Sequence, residues 1–195
     1  MAGKFLPEFQ RNCLVAGGAN LTSSFGGPAA TLRNAFQLMG ENVGVIRATS
    51  RFYRTPAYPA GAGPDYVNAA TWLVTDRQPL EILDMLHAIE AEAGRVRTRR
   101  WAARGLDLDL LAIDDLVLPD TDGYRAWADL APQEQMREAP SELILPHPRI
   151  QDRAFVLVPL ADIAPDWRHP VLDRTVREML DGQPEAALGE IVALQ

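Results

Sequence analysis

The chain has 195 residues, 47% of them apolar, which is enough for one domain with a true hydrophobic core. Its formal net charge of −7 argues against non-specific nucleic-acid binding, where a basic domain is expected. Lys4 is the only lysine, so no Gly-rich P-loop ending in Gly-Lys-Ser/Thr can form, and a bound nucleotide must be held by other means.

Residues 1–10 read as a loose tail. The lone cysteine, Cys13, excludes an internal disulfide, suits a reducing cytoplasm and lies in an apolar run expected in the core. No signal peptide is evident, and no apolar run approaches the roughly 20 residues of a membrane helix, so a cytoplasmic protein with no membrane partner is expected. Residues 13–16 form a short buried strand, which Gly17, Gly18, Ala19 and Asn20 should break. Pro28 opens a helix with Leu32, Ala35, Phe36 and Met39 as its apolar face and Gly40 as its end. Residues 43–54 are strand-like, and residues 55–64, with Pro56, Pro59 and Pro64, are a loop. Residues 65–75 make the next strand, with Tyr66, Asn68 and Ala70 on one face. A second helix spans 79–93, with Leu83, Leu86 and Ile89 inward and Gly94 as its stop.

A strand over 106–113 completes the order β-α-β-β-α-β. This predicts an α+β, ferredoxin-like core: an antiparallel sheet with both helices on one face, plus C-terminal additions. Residues 119–142 read as a polar, partly helical insertion with Trp127 and Met136 as anchors and no catalytic group. Residues 143–148 form an extended turn, 153–164 have helical spacing interrupted by Pro159, and 173–181 suggest a last short helix. The domain is expected to cover 11–182, leaving 183–195 as a tail. His87 and His169 are expected at the surface, and Trp72 and Trp167 in packing.

The richest stretch is 95–109. Arg95, Arg97, Arg99, Arg100 and Arg104 run into Asp107 and Asp109, which alternate with leucines. Residues two apart on a strand share a face, so the carboxylates project together, roughly 7 Å apart at Cα. Side-by-side like charges need a positive partner, and Mg²⁺ completed by phosphate oxygens meets that need. Arginines supply planar donors to the same phosphates. Taken alone, such an aspartate pair is more often a solvated strand face. With the arginines it points to metal-assisted polyphosphate chemistry.

Ordered motifs extend this reading. They are Gly18-Ala19-Asn20-Leu21, the run from Ser50 to Pro56, the run from Asp65 to Ala70, Glu90, Gly94 through Arg97, Arg100-Trp101, Arg104 through Asp109, Pro146-His147-Pro148, Arg153-Ala154-Phe155, and the run from Pro159 to Pro165. In these the chain resembles the 6-hydroxymethyl-7,8-dihydropterin pyrophosphokinase family of folate biosynthesis. The resemblance implies transfer of the pyrophosphoryl group of MgATP to the hydroxymethyl group of the pterin, releasing AMP, with two Mg²⁺ ions on Asp107 and Asp109. It implies that Arg95 and Arg97 lie on a catalytic loop, and that Glu90, Arg100, Trp101, Arg104, His147 and Arg153 serve ATP. It implies a pterin site of Thr55, Pro56, Tyr66, Asn68 and Phe155, with Tyr66 and Phe155 sandwiching the ring. Implied partners are these small molecules and, beyond them, neighbouring folate-pathway enzymes. Three departures from the family pattern stand out: Ala19 replaces a serine, Ala102-Ala103 replaces Gly-Pro, and His87 stands where a glutamine contacts adenine in some members. The rival readings are a binding module that has lost turnover, a metal-dependent phosphohydrolase and a fragment of a fused folate enzyme.

Overall fold

The computed structural model describes residues 10–57, 63–94, 105–131, 134 and 140–194. Its elements run β1 (Arg11–Ala19), α1 (Pro28–Asn42), β2 (Val45–Thr49), β3 (Tyr53–Thr55), β4 (Tyr66–Thr75), α2 (Pro79–Glu92), β5 (Asp107–Ile113) and α3 (Thr121–Ala128). After a 3-10 turn at Ile150–Asp152 come α4 (Ala154–Ile163), α5 (Val176–Asp181), α6 (Glu185–Gly189) and β6 (Val192–Ala193). The sheet order is β5-β1-β4-β3-β6, with β2 pairing β4 alongside β3, and every pairing is antiparallel. This is the expected α+β arrangement with β1 and β4 at its centre.

Strand alternation divides the core into two layers. On one face Val15, Ala69, Leu73, Leu108 and Leu110 meet Leu32, Phe36 and Met39 of α1 and Ile82, Leu86 and Ile89 of α2. On the other, Leu14, Ala16, Ala70 and Leu111 meet Val156, Leu157 and Leu160 of α4 and Val176 and Met179 of α5. The C-terminal additions therefore roof the face that the two core helices leave open.

The structure corrects several expectations. Gly17 and Gly18 do not break β1, which pairs with β4 through Ala19↔Val67. Gly17 is there for space, because a Cβ at that position would stand 2.9 Å from Leu32 Cδ2 and 3.2 Å from Phe36 Cε1. The single strand expected over 43–54 is two, β2 and β3, parted at 50–52. In the gap the Ser50 hydroxyl accepts from the Ala70 amide at 2.8 Å, and Asp162 of α4 accepts from the Arg51 amide at 3.1 Å. Asp162 also binds the Arg51 guanidinium (2.8 and 3.1 Å) and the Tyr53 hydroxyl (2.8 Å), pinning α4 to the sheet. Helix α4 runs through Pro159, and the acceptor left without its amide is the carbonyl of Phe155, a residue with an exposed side chain in the otherwise buried first turn. Helix α1 likewise continues past Gly40 to Asn42. Residues after 183, expected as a tail, include α6 and the strand β6, which extends the sheet beyond β3.

His169, expected at the surface, is fully buried. Its Nε2 meets the Tyr124 hydroxyl at 3.1 Å, and its ring packs edge-on to Trp167. The insertion is thus tied to the C-terminal layer through α3, whose Asp120 cap accepts from the Gly123 amide at 2.8 Å. Cys13 is buried as expected, and burial pushes its thiol up to about 12.

Candidate active site

Strand β5 is short, carries acidic side chains on one face and leucines on the other, and lies at the sheet edge. Leu106, Leu108 and Leu110 are buried, whereas Asp107 and Asp109 between them are only partly so. Register places Asp107 opposite Gly18 and Asp109 opposite Ala16, on the α4 side of the sheet. The carboxylates therefore share a face, as the period-two pattern requires. The outer edge of β5 is occupied as well: Glu90, almost fully buried on α2, accepts the Leu108 amide at 2.8 Å. Glu90, expected to serve ATP, has one oxygen engaged in holding α2 to β5.

Arg153, at the start of α4, donates to Asp109 Oδ2 at 3.2 Å. Its guanidinium also lies 5.8 Å from the centroid of the Phe155 ring, which is 41% exposed. One arginine thus joins the acidic strand to an open aromatic surface. His147 reaches the same strand by donating its amide to the Leu111 carbonyl at 2.7 Å, while its Nδ1 accepts from the Arg149 amide at 3.1 Å. That bond assigns the proton of the neutral ring to Nε2. Burial pushes the His147 pKa down to about 4 against the pull of Asp109, so the imidazole is neutral at physiological pH.

A cavity of about 550 Å³ runs beside these groups, within the range of small-molecule sites. Its polar wall is Asp107, Asp109, His147, Arg149 and Arg153, and its apolar wall includes Leu83, Trp127, Pro140 and Leu143. His87, from the α2 face, lines it too.

A second group of predicted residues sits across the same face. Asn68 pairs across β1 with Gly18, and a Cβ on Gly18 would come within 3.0 Å of Asn68 Oδ1, so the glycine leaves room for the amide. Asn68 Nδ2 donates to Thr55 Oγ1 at 2.7 Å, and Thr55 pairs with Tyr66 in the ladder. Asn68 and Thr55 are buried, Tyr66 is half-buried and Pro56 is exposed. The structure therefore brings Asp107, Asp109, His147 and Arg153 together in one place, and Thr55, Tyr66 and Asn68 in another. Arg95, Arg97, Arg100, Trp101 and Arg104 lie outside the described residues, so the expectations placed on them stay as they were. Among the described residues no cluster of three or more His, Cys, Asp or Glu could enclose a metal.

Residues 14–165 match the family model described as 7,8-dihydro-6-hydroxymethylpterin-pyrophosphokinase (HPPK). The chain belongs to this family. Its relatives include proteins named 2-amino-4-hydroxy-6-hydroxymethyldihydropteridine pyrophosphokinase. That of Methylorubrum extorquens is 36% identical, covering 82% of this chain and 88% of its own, and that of Pseudomonas aeruginosa is 38% identical, covering 80% and 82%. The Synechocystis protein of that name is 38% identical across 70% of this chain, which spans only 59% of its length. Among solved structures, the Plasmodium falciparum HPPK-DHPS wild type matches with a TM-score of 0.63 at 17% identity, over 89% of this chain and 44% of that one. This last likeness supports the fold alone.

Ala19, one of the departures noted in the sequence, is fully buried in the α1–α2 core, where a methyl group leaves no hydroxyl to satisfy. Sequence reasoning did not place Arg149 or Trp127 on the cavity wall. The available signals were the spacing of Arg149 from His147 and a tryptophan in an otherwise polar segment.

Proposed function

We propose that this chain transfers the pyrophosphoryl group of MgATP to the hydroxymethyl group of 6-hydroxymethyl-7,8-dihydropterin, releasing AMP, in folate biosynthesis. The observation that carries the reading is the shared face of Asp107 and Asp109, with Arg153 linking it to the open ring of Phe155. Triphosphate and pterin would meet where that arginine sits.

The donor set fits magnesium: two carboxylates on one strand face, partly open, beside a cationic side chain. In this reading Asp107 and Asp109 would hold two Mg²⁺ ions, whose charge would offset that of the phosphates and favour ionisation of the substrate hydroxyl. Arg153, held on Asp109, would also donate to the triphosphate, and His147, neutral, would offer Nε2–H to a phosphate oxygen. Arg95, Arg97, Arg100 and Arg104 would add donors from the preceding loop, with Trp101 helping to exclude water. Tyr66 and Phe155 would sandwich the pterin, and Asn68, fixed by Thr55 beside Pro56, would hydrogen-bond its edge. The reaction joins the hydroxymethyl oxygen to the β-phosphorus and breaks that phosphorus's bond to the α–β bridging oxygen. AMP and the hydroxyl proton are released. The charge that develops on the phosphoryl oxygens is met by groups already in place.

A cytoplasmic setting belongs to this reading, as do neighbouring folate enzymes as partners. It is favoured by the buried lone cysteine and by the name of the fused Plasmodium protein. Among the described residues no helix is long and apolar enough to cross a membrane.

The test is direct. Purified protein with MgATP and 6-hydroxymethyl-7,8-dihydropterin should form AMP and pterin pyrophosphate in equal amounts. Formation of ADP or free phosphate, or no pterin-dependent AMP, would overturn the assignment.

A further inference from the structure

We propose that Trp127, on the helix inserted between β5 and the His147 turn, is the surface on which the purine ring of the nucleotide stacks, so that helix α3 acts as a base-recognition element. This deepens the reading above and rests on it. A nucleoside triphosphate needs two kinds of wall: charged and polar groups for its phosphates, and a flat apolar surface for its base. The polar wall includes Asp107, Asp109, His147, Arg149 and Arg153. Among the described residues lining the cavity, Trp127 carries the one large aromatic surface.

Three observations separate this from ordinary packing. Trp72 and Trp167 both pack against the α4–α5 core, whereas half-buried Trp127 borders the cavity. Helix α3 is held firmly despite having only 8 residues: Asp120 caps it, and Tyr124, three residues before Trp127 and on the same side, is buried with its hydroxyl on His169. The indole is thus presented on a fixed support, which lowers the ordering cost of binding. The spacing along α2 also suits the ligand. Glu90, bonded to Leu108 beside the aspartates, and Leu83, on the apolar wall, are about 10 Å apart along the helix axis. That separation lets a base rest near Leu83 and Trp127 while its phosphates reach β5.

The experiment compares a ligand with a base to one without, using the full chain. Calorimetry would measure binding of the magnesium complexes of α,β-methylene-ATP and of inorganic tripolyphosphate to wild type, Trp127→Ala and Trp127→Phe. Trp127→Ala should weaken the nucleotide about 10-fold, the scale on which alanine replaces a base-stacking aromatic, and leave tripolyphosphate unchanged; Trp127→Phe should recover most of the loss. Unchanged nucleotide affinity in Trp127→Ala, or parallel loss of both ligands, overturns the inference. Should the alanine variant fail to fold, tryptophan emission decides. Nucleotide should change the emission of wild type more than tripolyphosphate does, and Trp127→Phe should lack most of that excess; its full persistence overturns the inference. AMP formation by wild type is scored separately. Its absence would refute the proposed reaction, whereas a base-selective effect of Trp127 would stand as nucleotide recognition without it.

Discussion

At Asp109 two demands on one carboxylate can be told apart by magnitude. Its ion pair with Arg153, at 3.2 Å, is partly solvated on both sides, so its loss should cost stability no more than about 1 kcal/mol. Its proposed role in holding cations against a triphosphate is electrostatic stabilisation of the reacting state, where removal of a principal group costs about 10²-fold or more in rate. Asp107→Ala and Asp109→Ala should therefore each lower pterin-dependent AMP formation by at least about 10²-fold while the unfolding midpoint moves little. Steady-state rates and urea titrations on the same preparations check both halves. Near-normal turnover in either variant would remove the metal-site assignment, and a large loss of stability would make Asp109 a structural residue instead. This pair was legible in the sequence because strand alternation leaves no other arrangement for Asp-Leu-Asp. The contact between Arg153 and Asp109 was not, since 44 residues separate the partners and only the packing of α4 on the sheet brings them together.

Elements were legible where local pattern and tertiary packing agree. The apolar spacing of α1 and α2 and the alternation in β4 and β5 predicted those elements, and the order of strands and helices predicted the sheet. Glycine was the misleading signal. Gly17 reads as a strand breaker, yet it lies inside β1 because α1 approaches closely there; Gly44, between α1 and β2, stands against the Val74 carbonyl. The two positions should differ on substitution. A Cβ at Gly44 would fall 2.4 Å from Val74 O and 2.8 Å from Thr75 Cβ, and the carbonyl belongs to the paired backbone of β4. At Gly17 the nearest atom is the far end of Leu32, at 2.9 Å. Overpacking of a core costs about 1–3 kcal/mol, offset in part by the lower chain entropy of alanine in the unfolded state. Gly44→Ala should sit at the upper end of that range and Gly17→Ala near its lower end or below, with unchanged denaturant m values in both. The opposite ranking would show that the α1–β1 contact, not the β2–β4 approach, is the tighter constraint. β6 was not legible for another reason: two residues carry no period, and their pairing with β3 depends on where α6 leaves the chain.

Across the whole molecule, the insertion and the C-terminal layer meet at His169, and this junction should set part of the protein's acid sensitivity. Nδ1 of His169 accepts from the amides of Val171 and Leu172, each at 3.2 Å, so the neutral ring carries its proton on Nε2, against the Tyr124 hydroxyl. A second proton would have to enter at Nδ1, facing two N–H donors in a fully buried site. Burial pushes the pKa down from 6.5 to about 4. The unfolded chain therefore binds a proton at this residue between about pH 6.5 and 4 while the folded chain does not, so stability falls as pH drops through that window. For this one group the loss between pH 7 and pH 5 is about 2 kcal/mol. His147 is shifted in the same direction, so wild type alone does not isolate the effect. His169→Gln, lacking the titration, should be less stable than wild type at pH 7 because it breaks the buried contacts, yet its stability should fall by about 2 kcal/mol less on going to pH 5. Urea unfolding at the two pH values measures this difference directly. Equal acid sensitivity in wild type and His169→Gln would mean that His169 is protonated in the folded protein at pH 5, and that the insertion is held to the C-terminal layer by contacts other than this buried neutral imidazole.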